Sequence, residues 1–222
     1  MRRTALAFGL VVILAGCGSS QTAPGASPTA ASIPTAAPGN TAAPGGTAAP
    51  AAGITLTLLP NWQKVDLTRE ALQNMVTTLG PSNPQLAAAL NQLLTSGQFS
   101  SFLLYALGYN GTAYIGNTNA TSFPVGALDL DGLGPLMEGQ LKNIGVANFS
   151  SSKVTIPAGT ALALKYTLTV HSGATDVLVT GHAWIVIQNG QAYQVTFSCN
   201  PPDPSPCLSQ GDQMIQTFRI GG

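Results

Sequence analysis

Residues 162–199 read LALKYTLTVHSGATDVLVTGHAWIVIQNGQAYQVTFSC. The first part alternates with the period of two that is typical of a β-strand. One set of positions is apolar: Leu162, Leu164, Tyr166, Leu168 and Val170. The other set is Ala163, Lys165, Thr167, Thr169 and His171. A second strand is predicted over Val177 to Ile187, and a third has the alternating residues Tyr193, Val195, Phe197 and Cys199. Because a tight turn at Asn189-Gly190 joins the last two, consecutive strands are predicted to pair antiparallel.

Further strands are predicted upstream. Ile54 to Leu59 alternate and end at Pro60-Asn61-Trp62. Phe102 to Tyr109 and Thr112 to Gly116 flank an Asn110-Gly111 turn, which is a hairpin signal. Another strand is expected near Val154.

Helical spacing occurs in four places. The first face contains Leu72, Met75, Val76 and Leu79, and after Gly80-Pro81 a second face contains Leu86, Leu90, Leu93 and Leu94. Either Ser82 or Asn83 is the expected N-cap of the second helix. A third helix fits Leu130 to Ile144, with the apolar positions Leu133, Leu136, Met137, Leu141 and Ile144 and a first turn delayed by glycine and proline. A short last helix is expected to contain Leu208, Ile215 and Phe218.

The order of these elements predicts an α+β fold over residues 53–222. The predicted order is a strand, two helices, a hairpin, a helix, a run of strands and a final helix. This order gives an antiparallel sheet flanked by helices. The helices need apolar surface to cover, so they are expected on the sheet faces, as an α/β/α sandwich or as two layers.

The N-terminal residues predict export. Arg2 and Arg3 precede an apolar run of about a dozen residues, which is shorter than the roughly 20 residues of a membrane-spanning helix. Leu14-Ala15-Gly16-Cys17 resembles a bacterial lipobox. That resemblance implies a lipoprotein signal peptide over residues 1–16 and acylation of Cys17, with two or more acyl chains, palmitate among them, giving stable membrane attachment. An ordinary secretory signal with an incidental cysteine is the alternative.

Residues 17–52 are predicted to be a disordered tether. They consist almost entirely of Ala, Pro, Thr, Gly and Ser, with Ile33 as the one large apolar side chain. Such a segment buries too little area to offset its ordering entropy. A linker of this composition spans roughly 60 to 100 Å, at up to about 3.1 Å per residue. It would place a domain well clear of a lipid surface.

Composition excludes nucleic acid as a partner. The 222 residues contain 8 basic and 8 acidic side chains, and the bases after Arg3 are scattered along the chain. A surface that binds the phosphates of a nucleic acid needs its basic side chains to be clustered.

Few residues are candidates for chemistry. Cys199 and Cys207 form an even pair in an exported protein, and a disulfide is favoured over two free thiols. The two histidines are His171 and His182; the strand pairing places His182 near Lys165, and His171 near Asp176. A shared metal is therefore not expected.

One acidic segment is a candidate calcium site. It consists of Asp129-Leu130-Asp131-Gly132 and Glu138, which do not have the spacing of an EF-hand loop. These residues predict instead a helix that begins with acidic side chains. Aromatic candidates for lining a ligand cleft are Trp62, Trp184, Tyr109 and Tyr114.

Short motifs resemble the PsbP-like sandwich. They are Leu59-Pro60-Asn61-Trp62, Ile156-Pro157-Ala158-Gly159, Tyr193-Gln194-Val195-Thr196-Phe197 and Ile215-Gln216-Thr217-Phe218. Lipid-anchored members of that group include the LpqN and DcrB types. The resemblance implies an accessory or partner-binding protein, and it carries over no catalytic, cofactor or metal residues.

Two functions are expected from these observations. The first is a non-catalytic lipoprotein, anchored to the cell membrane at Cys17, facing outside the cytoplasm and binding a protein of the cell envelope. The alternative is a carrier or sensor for a small apolar or glycan ligand held between sheet and helices. No cofactor is expected, and a hydrolase ranks behind both.

Overall fold

The computed structural model describes residues 53–79, 87, 90–91, 93–95, 97–111, 113–172, 175–199 and 203–221. The side chains of residues 170–177 are not among those described. The predicted signal peptide, Cys17, the predicted tether and the predicted start of the second helix therefore lie outside the described residues. Within the described part of the chain, no helix has the length and apolarity needed to cross a membrane.

Seven antiparallel strands form the main sheet, in the order β2-β3-β4-β8-β7-β6-β5. Their bounds are β2 Trp62–Lys64, β3 Phe102–Asn110, β4 Ala113–Pro124, β5 Val146–Ile156, β6 Gly159–Ser172, β7 Thr175–Gln188 and β8 Gln191–Cys199. A separate two-stranded sheet pairs β1 (Ile54–Thr55) with β9 (Arg219–Ile220). The predicted antiparallel α+β class is confirmed.

Strands β6, β7 and β8 form the meander that the sequence predicts. The β7–β8 turn has Asn189 at φ 53° and Gly190 at φ 72°. Left-handed values at both central positions are what a type I′ turn requires, and Asn-Gly meets them at the lowest steric cost. The resulting register pairs Lys165 with His182, and His182 with Phe197.

The N-terminal strand is shorter than its pattern predicts. Only Ile54 and Thr55 form β1, whereas Leu56 and Leu58 are buried outside a strand. The alternation therefore reflects burial of one side of an irregular segment. That segment continues to Trp62, whose indole Nε1 donates a 2.6 Å hydrogen bond to Gln210 Oε1.

Three helices have complete bounds: α1 Arg69–Leu79, α2 Leu130–Asn143 and α3 Ser205–Ile215. Further helical residues lie between 87 and 95, among them the buried Leu90, Leu93 and Leu94. The Asp129 carboxylate caps α2 by accepting a 2.8 Å bond from Gly132 N, as the acidic start predicts. The helix begins at Leu130, so the expected delay of its first turn is wrong. Leu136 and Ile144 are exposed although the helical pattern included them.

Apolar clusters cover the two faces of the sheet. On one face, Phe197 and Trp184 pack with Met214, Ile215 and Phe218 from α3 and the segment beyond it. On the other, α2 covers Leu162, Leu164 and Ile185, and α1 with the 87–95 helix covers the side chains of β3. The final helix is shorter than predicted, because Phe218 lies beyond its end at Ile215.

Candidate functional site

A cleft of about 250 Å³ lies between α3 and the β5–β6–β7 side of the sheet. Its floor comes from the β6–β7 pairing, which places Ala163, Lys165, His182 and Trp184 on one face. Helix α3 contributes Asp212 and Ile215, and Gln216 follows it. We name this the His182 cleft, after the histidine that lines it.

His182 is held from two sides. Its imidazole lies 3.7 Å from the Trp184 ring, centroid to centroid, with the planes inclined by 35°. Its Nδ1 lies 3.2 Å from Asp212 Oδ1. The His182 side chain is 8% exposed and that of Asp212 is 59% exposed, so the carboxylate remains hydrated while the imidazole is buried.

The charge state of His182 follows from this packing. Burial, with a smaller contribution from the positive charge of Lys165, lowers the pKa of His182 from 6.5 to about 4. Asp212 acts in the opposite direction, because a nearby carboxylate favours the imidazolium, but burial outweighs it. At neutral pH the imidazole is therefore uncharged. Since a carboxylate only accepts hydrogen bonds, the proton is assigned to Nδ1 and the Nε2 lone pair is left as an acceptor.

The charged partners of the cleft come from different elements. Burial raises the pKa of Asp212, while Lys165 lowers it. Lys165 is exposed on β6 and Asp212 is on α3, so one cationic and one anionic group border the same depression. The arrangement can donate and accept hydrogen bonds beside an aromatic surface.

Two larger depressions lack these features. One, of about 470 Å³, lies near Leu128 and Val186, and the other, of about 490 Å³, lies near Lys64 and Leu103. Neither is lined by a histidine or an aromatic side chain. The His182 cleft is therefore the candidate site.

Only some of the residues proposed from the sequence line the His182 cleft. His182 and Lys165 are brought together as predicted, and Trp184 lines the cleft. Trp62 is a core residue with 2% exposure. Tyr109 and Tyr114 pack against each other beside the cluster under α1, with ring centroids 6.3 Å apart. Backbone pairing places His171 opposite Asp176, but their side chains are outside the described set.

A disulfide joins Cys199 to Cys207, as the sequence predicts. It connects the end of β8 to the first turn of α3, and both cysteines are fully buried. The bridge therefore fixes the start of the helix that carries Asp212.

Sequence reasoning missed Asp212. It lies on α3, a separate element from the strand that carries His182, and no motif links the two residues. The available signal was its position one helical turn before the buried Ile215. In the part of the chain that the structure describes, no three His, Cys, Asp or Glu side chains are grouped as a metal site.

Comparisons with known proteins give only distant similarities. No protein-family model matches the chain, and no curated protein matches it. A solved structure from Bacteroides thetaiotaomicron is similar at 14% identity and a TM-score of 0.44, over 78% of this chain and 47% of that one. This chain thus spans about half the length of the Bacteroides protein. LpqN, involved in cell envelope biogenesis of Mycobacterium tuberculosis, is similar at 11% identity and a TM-score of 0.45, over 76% of this chain and 83% of LpqN. Neither similarity assigns a ligand, a partner or an activity to this chain.

Proposed function

We propose that the protein is a lipid-anchored, non-catalytic binding module that works outside the cytoplasm and holds a small polar ligand in the His182 cleft. The observation that carries the proposal is a buried histidine that stacks on a tryptophan and lies 3.2 Å from a carboxylate in an open cleft. Such a convergence of polar groups on an aromatic surface is the usual composition of a ligand site.

The ligand class follows from the side chains of the cleft. The Trp184–His182 stack forms a largely buried floor, with Trp184 4% exposed, against which C–H groups of a ligand would pack, and Nε2 of His182 accepts a hydrogen bond. Asp212 accepts from hydroxyls, while Lys165 donates to ring or carbonyl oxygens. A sugar ring presents hydroxyls at its edge and C–H groups on its face. A glycan fragment therefore fits the chemistry of the cleft.

Mutation of the cleft tests this assignment. Monosaccharides and disaccharides would be screened against the full-length protein by calorimetry. His182→Gln and Asp212→Asn should each weaken binding of a hit about tenfold, because each removes a hydrogen bond from a partly buried site. Glu138→Gln, at a half-exposed position of α2 away from the cleft, serves as the matched control. Equal affinity in all variants would place the ligand elsewhere.

The proposed anchor rests on the lipobox and the tether composition. Cys17 follows three small or apolar residues, and the segment to residue 52 suits a flexible spacer. Mass spectrometry of the mature protein should find an N-terminal peptide that begins at Cys17 and carries acyl chains. A mature protein that starts elsewhere, with an unmodified cysteine, would rule the anchor out.

A second candidate function is binding of an envelope protein at the β5 edge. Among the described strands, β5 pairs with β6 alone; it is 11 residues long and is mostly exposed. An open edge can accept a strand from a partner. A photocrosslinking residue at Ser151 on β5 should capture one reproducible partner in cells, whereas the same group at Glu138 should not. Identical products at both positions would reject the edge as a binding surface.

A further inference from the structure

Asp212 lies in the last turn of α3, where a negative charge is unfavourable. The helix ends at Ile215, and its last turn contains no basic residue. The helix macrodipole puts partial negative charge at this end, which favours a cation there and disfavours a carboxylate. The neighbouring imidazole of His182 is uncharged at neutral pH and supplies only a hydrogen bond. Among the described residues, the carboxylate of Asp212 therefore has no cation in direct contact.

Lys165 presents the opposite charge on the floor of the same cleft. It lies on β6, in register with Ser150 of β5 and His182 of β7, and it is exposed. No described carboxylate lies within salt-bridge distance of its ammonium group. Lys153 on β5 differs, because its Nζ lies 2.6 Å from Asp131 Oδ1. The cleft thus contains a cation and an anion that are not paired by direct contact with the described chain.

The two charges border one cavity from opposite elements. Lys165 lines the cleft of about 250 Å³ from the sheet, and Asp212 lines it from the helix. Burial has the largest effect on the pKa of His182 and of Asp212, lowering the first and raising the second, and the charge of Lys165 acts on both. The field of Lys165 therefore reaches across the cleft. The cavity has a positive sheet side and a negative helix side, with Trp184 between them on the floor.

We propose that the His182 cleft selects a zwitterion, a small molecule that carries one amino group and one carboxylate. This inference rests on the proposed function, because it takes the cleft as a ligand site. The ammonium group lies against Asp212 at the C-terminal end of α3, and the carboxylate lies against Lys165. A zwitterion places a charge of each sign beside its counter-ion, whereas an ion of a single sign leaves one of the two side chains unpaired. Two kinds of molecule present both groups: an amino sugar acid and a free amino acid.

Four hexoses that differ by single groups test the selection by calorimetry on the full-length protein. They are D-glucose, D-glucosamine with an amine, D-glucuronate with a carboxylate, and glucosaminuronate with both. At neutral pH the amine and the carboxylate should each raise affinity about fivefold over glucose, as expected of a partly exposed ion pair. Glucosaminuronate should bind about 25-fold more tightly than glucose, because its two charged groups contact separate residues.

Two substitutions separate the two contacts. Asp212→Asn keeps an oxygen that accepts from His182 Nδ1 but removes the charge, so it should abolish the gain due to the amine. Lys165→Met keeps the apolar stem and should abolish the gain due to the carboxylate. Each variant should retain the other gain. Glu138→Gln and Lys142→Met alter an ion pair on α2 and serve as controls, in which both gains should equal those of the wild type.

The outcomes distinguish the selection from the proposed function. Glucose binding that depends on His182, with no gain from either charged group, would overturn the selection and leave the proposed function in place. Gains that survive in both Asp212→Asn and Lys165→Met would also overturn it.

β-Alanine tests the second source of a zwitterion. If no hexose binds but β-alanine does, and both Asp212→Asn and Lys165→Met weaken its binding, the selection stands and the glycan assignment is overturned. If neither the hexoses nor β-alanine bind, the selection and the proposed ligand site are overturned together.

Discussion

At the scale of single residues, His182 shows how packing sets chemistry. The side chain is polar, but the sheet places it between Trp184 and α3, where its ionised form is poorly solvated. Its pKa consequently falls to about 4, although Asp212 lies 3.2 Å away. The residue therefore works as a neutral donor and acceptor near pH 7, and protonation opposes the folded state.

Acid should destabilise the protein through His182. Its pKa is about 4 in the folded state and 6.5 without burial, so the unfolded chain binds the proton first as pH falls. The stability due to neutral His182 is complete above about pH 6.5 and is lost progressively down to about pH 4. Urea unfolding across this range should show a steeper loss for the wild type than for His182→Gln.

The comparison with His182→Gln separates the other titrating groups. Titrating groups that do not contact His182 are unchanged in the variant, so any pH dependence they cause is common to both proteins. A raised pKa of Asp212 has the opposite sign, since stability is then gained as pH falls. Parallel curves for the two proteins would contradict a lowered pKa of His182.

At the scale of elements, local signals fix the turns and helix ends. Asn189-Gly190 adopts the left-handed turn that joins β7 to β8, and Asp129 caps α2. The cap offsets the helix-breaking residues Gly132, Gly134 and Pro135 in the first half of α2. Because α2 covers Leu162 and Leu164, its start contributes to the closure of one sheet face.

Removal of the α2 cap should reduce stability. Asp129→Ala leaves Gly132 N without its acceptor and should lower the free energy of unfolding by about 1 kcal/mol. Chemical denaturation measures this change. Asp131→Ala is the control, because Asp131 forms an exposed ion pair with Lys153 that contributes little. Equal effects of the two substitutions would argue against a specific cap.

At the scale of the whole molecule, the ends of the domain are tied to the sheet. Strand β1 pairs with β9, and Gly221 N donates a 2.6 Å hydrogen bond to Gly53 O. The disulfide Cys199–Cys207 connects β8 to α3, and Gln210 on α3 accepts bonds from Asn61 and Trp62. These contacts hold α3, and with it Asp212, over the His182 cleft.

Loss of the disulfide should destabilise the whole domain. Closing a loop of this length restricts the unfolded chain, so the double variant Cys199→Ser/Cys207→Ser should lose about 2–3 kcal/mol of stability. Urea unfolding measures the loss, and reductant should produce a similar change in the wild type but none in the double variant. The variant should also bind a cleft ligand more weakly, since α3 is less firmly placed. Unchanged stability would mean that the bridge does not restrain the chain.

Predictability differs between the sheet and the sites. The sequence predicted the strands β6 to β8, the proximity of Lys165 to His182, and the Cys199–Cys207 pair. Each of these depends on local alternation, a short turn or a short loop. Asp212 was not identified, since its contact with His182 joins distant parts of the chain. The burial of polar side chains on β4 and β8 was not identified either, because polar residues at alternate positions of β4 resemble a solvent-facing strand.

The sequence by itself determined the antiparallel α+β class, the order of the strands in the meander and the cysteine pairing, because period, turn chemistry and spacing act over a few residues. Tertiary structure alone decided which alternate faces of the strands are covered. Both faces of the sheet are buried here, so alternation does not distinguish core from solvent. Only the packing of α3 on one face, and of the other helices on the opposite face, created the His182 cleft and buried the polar side chains of β4 and β8.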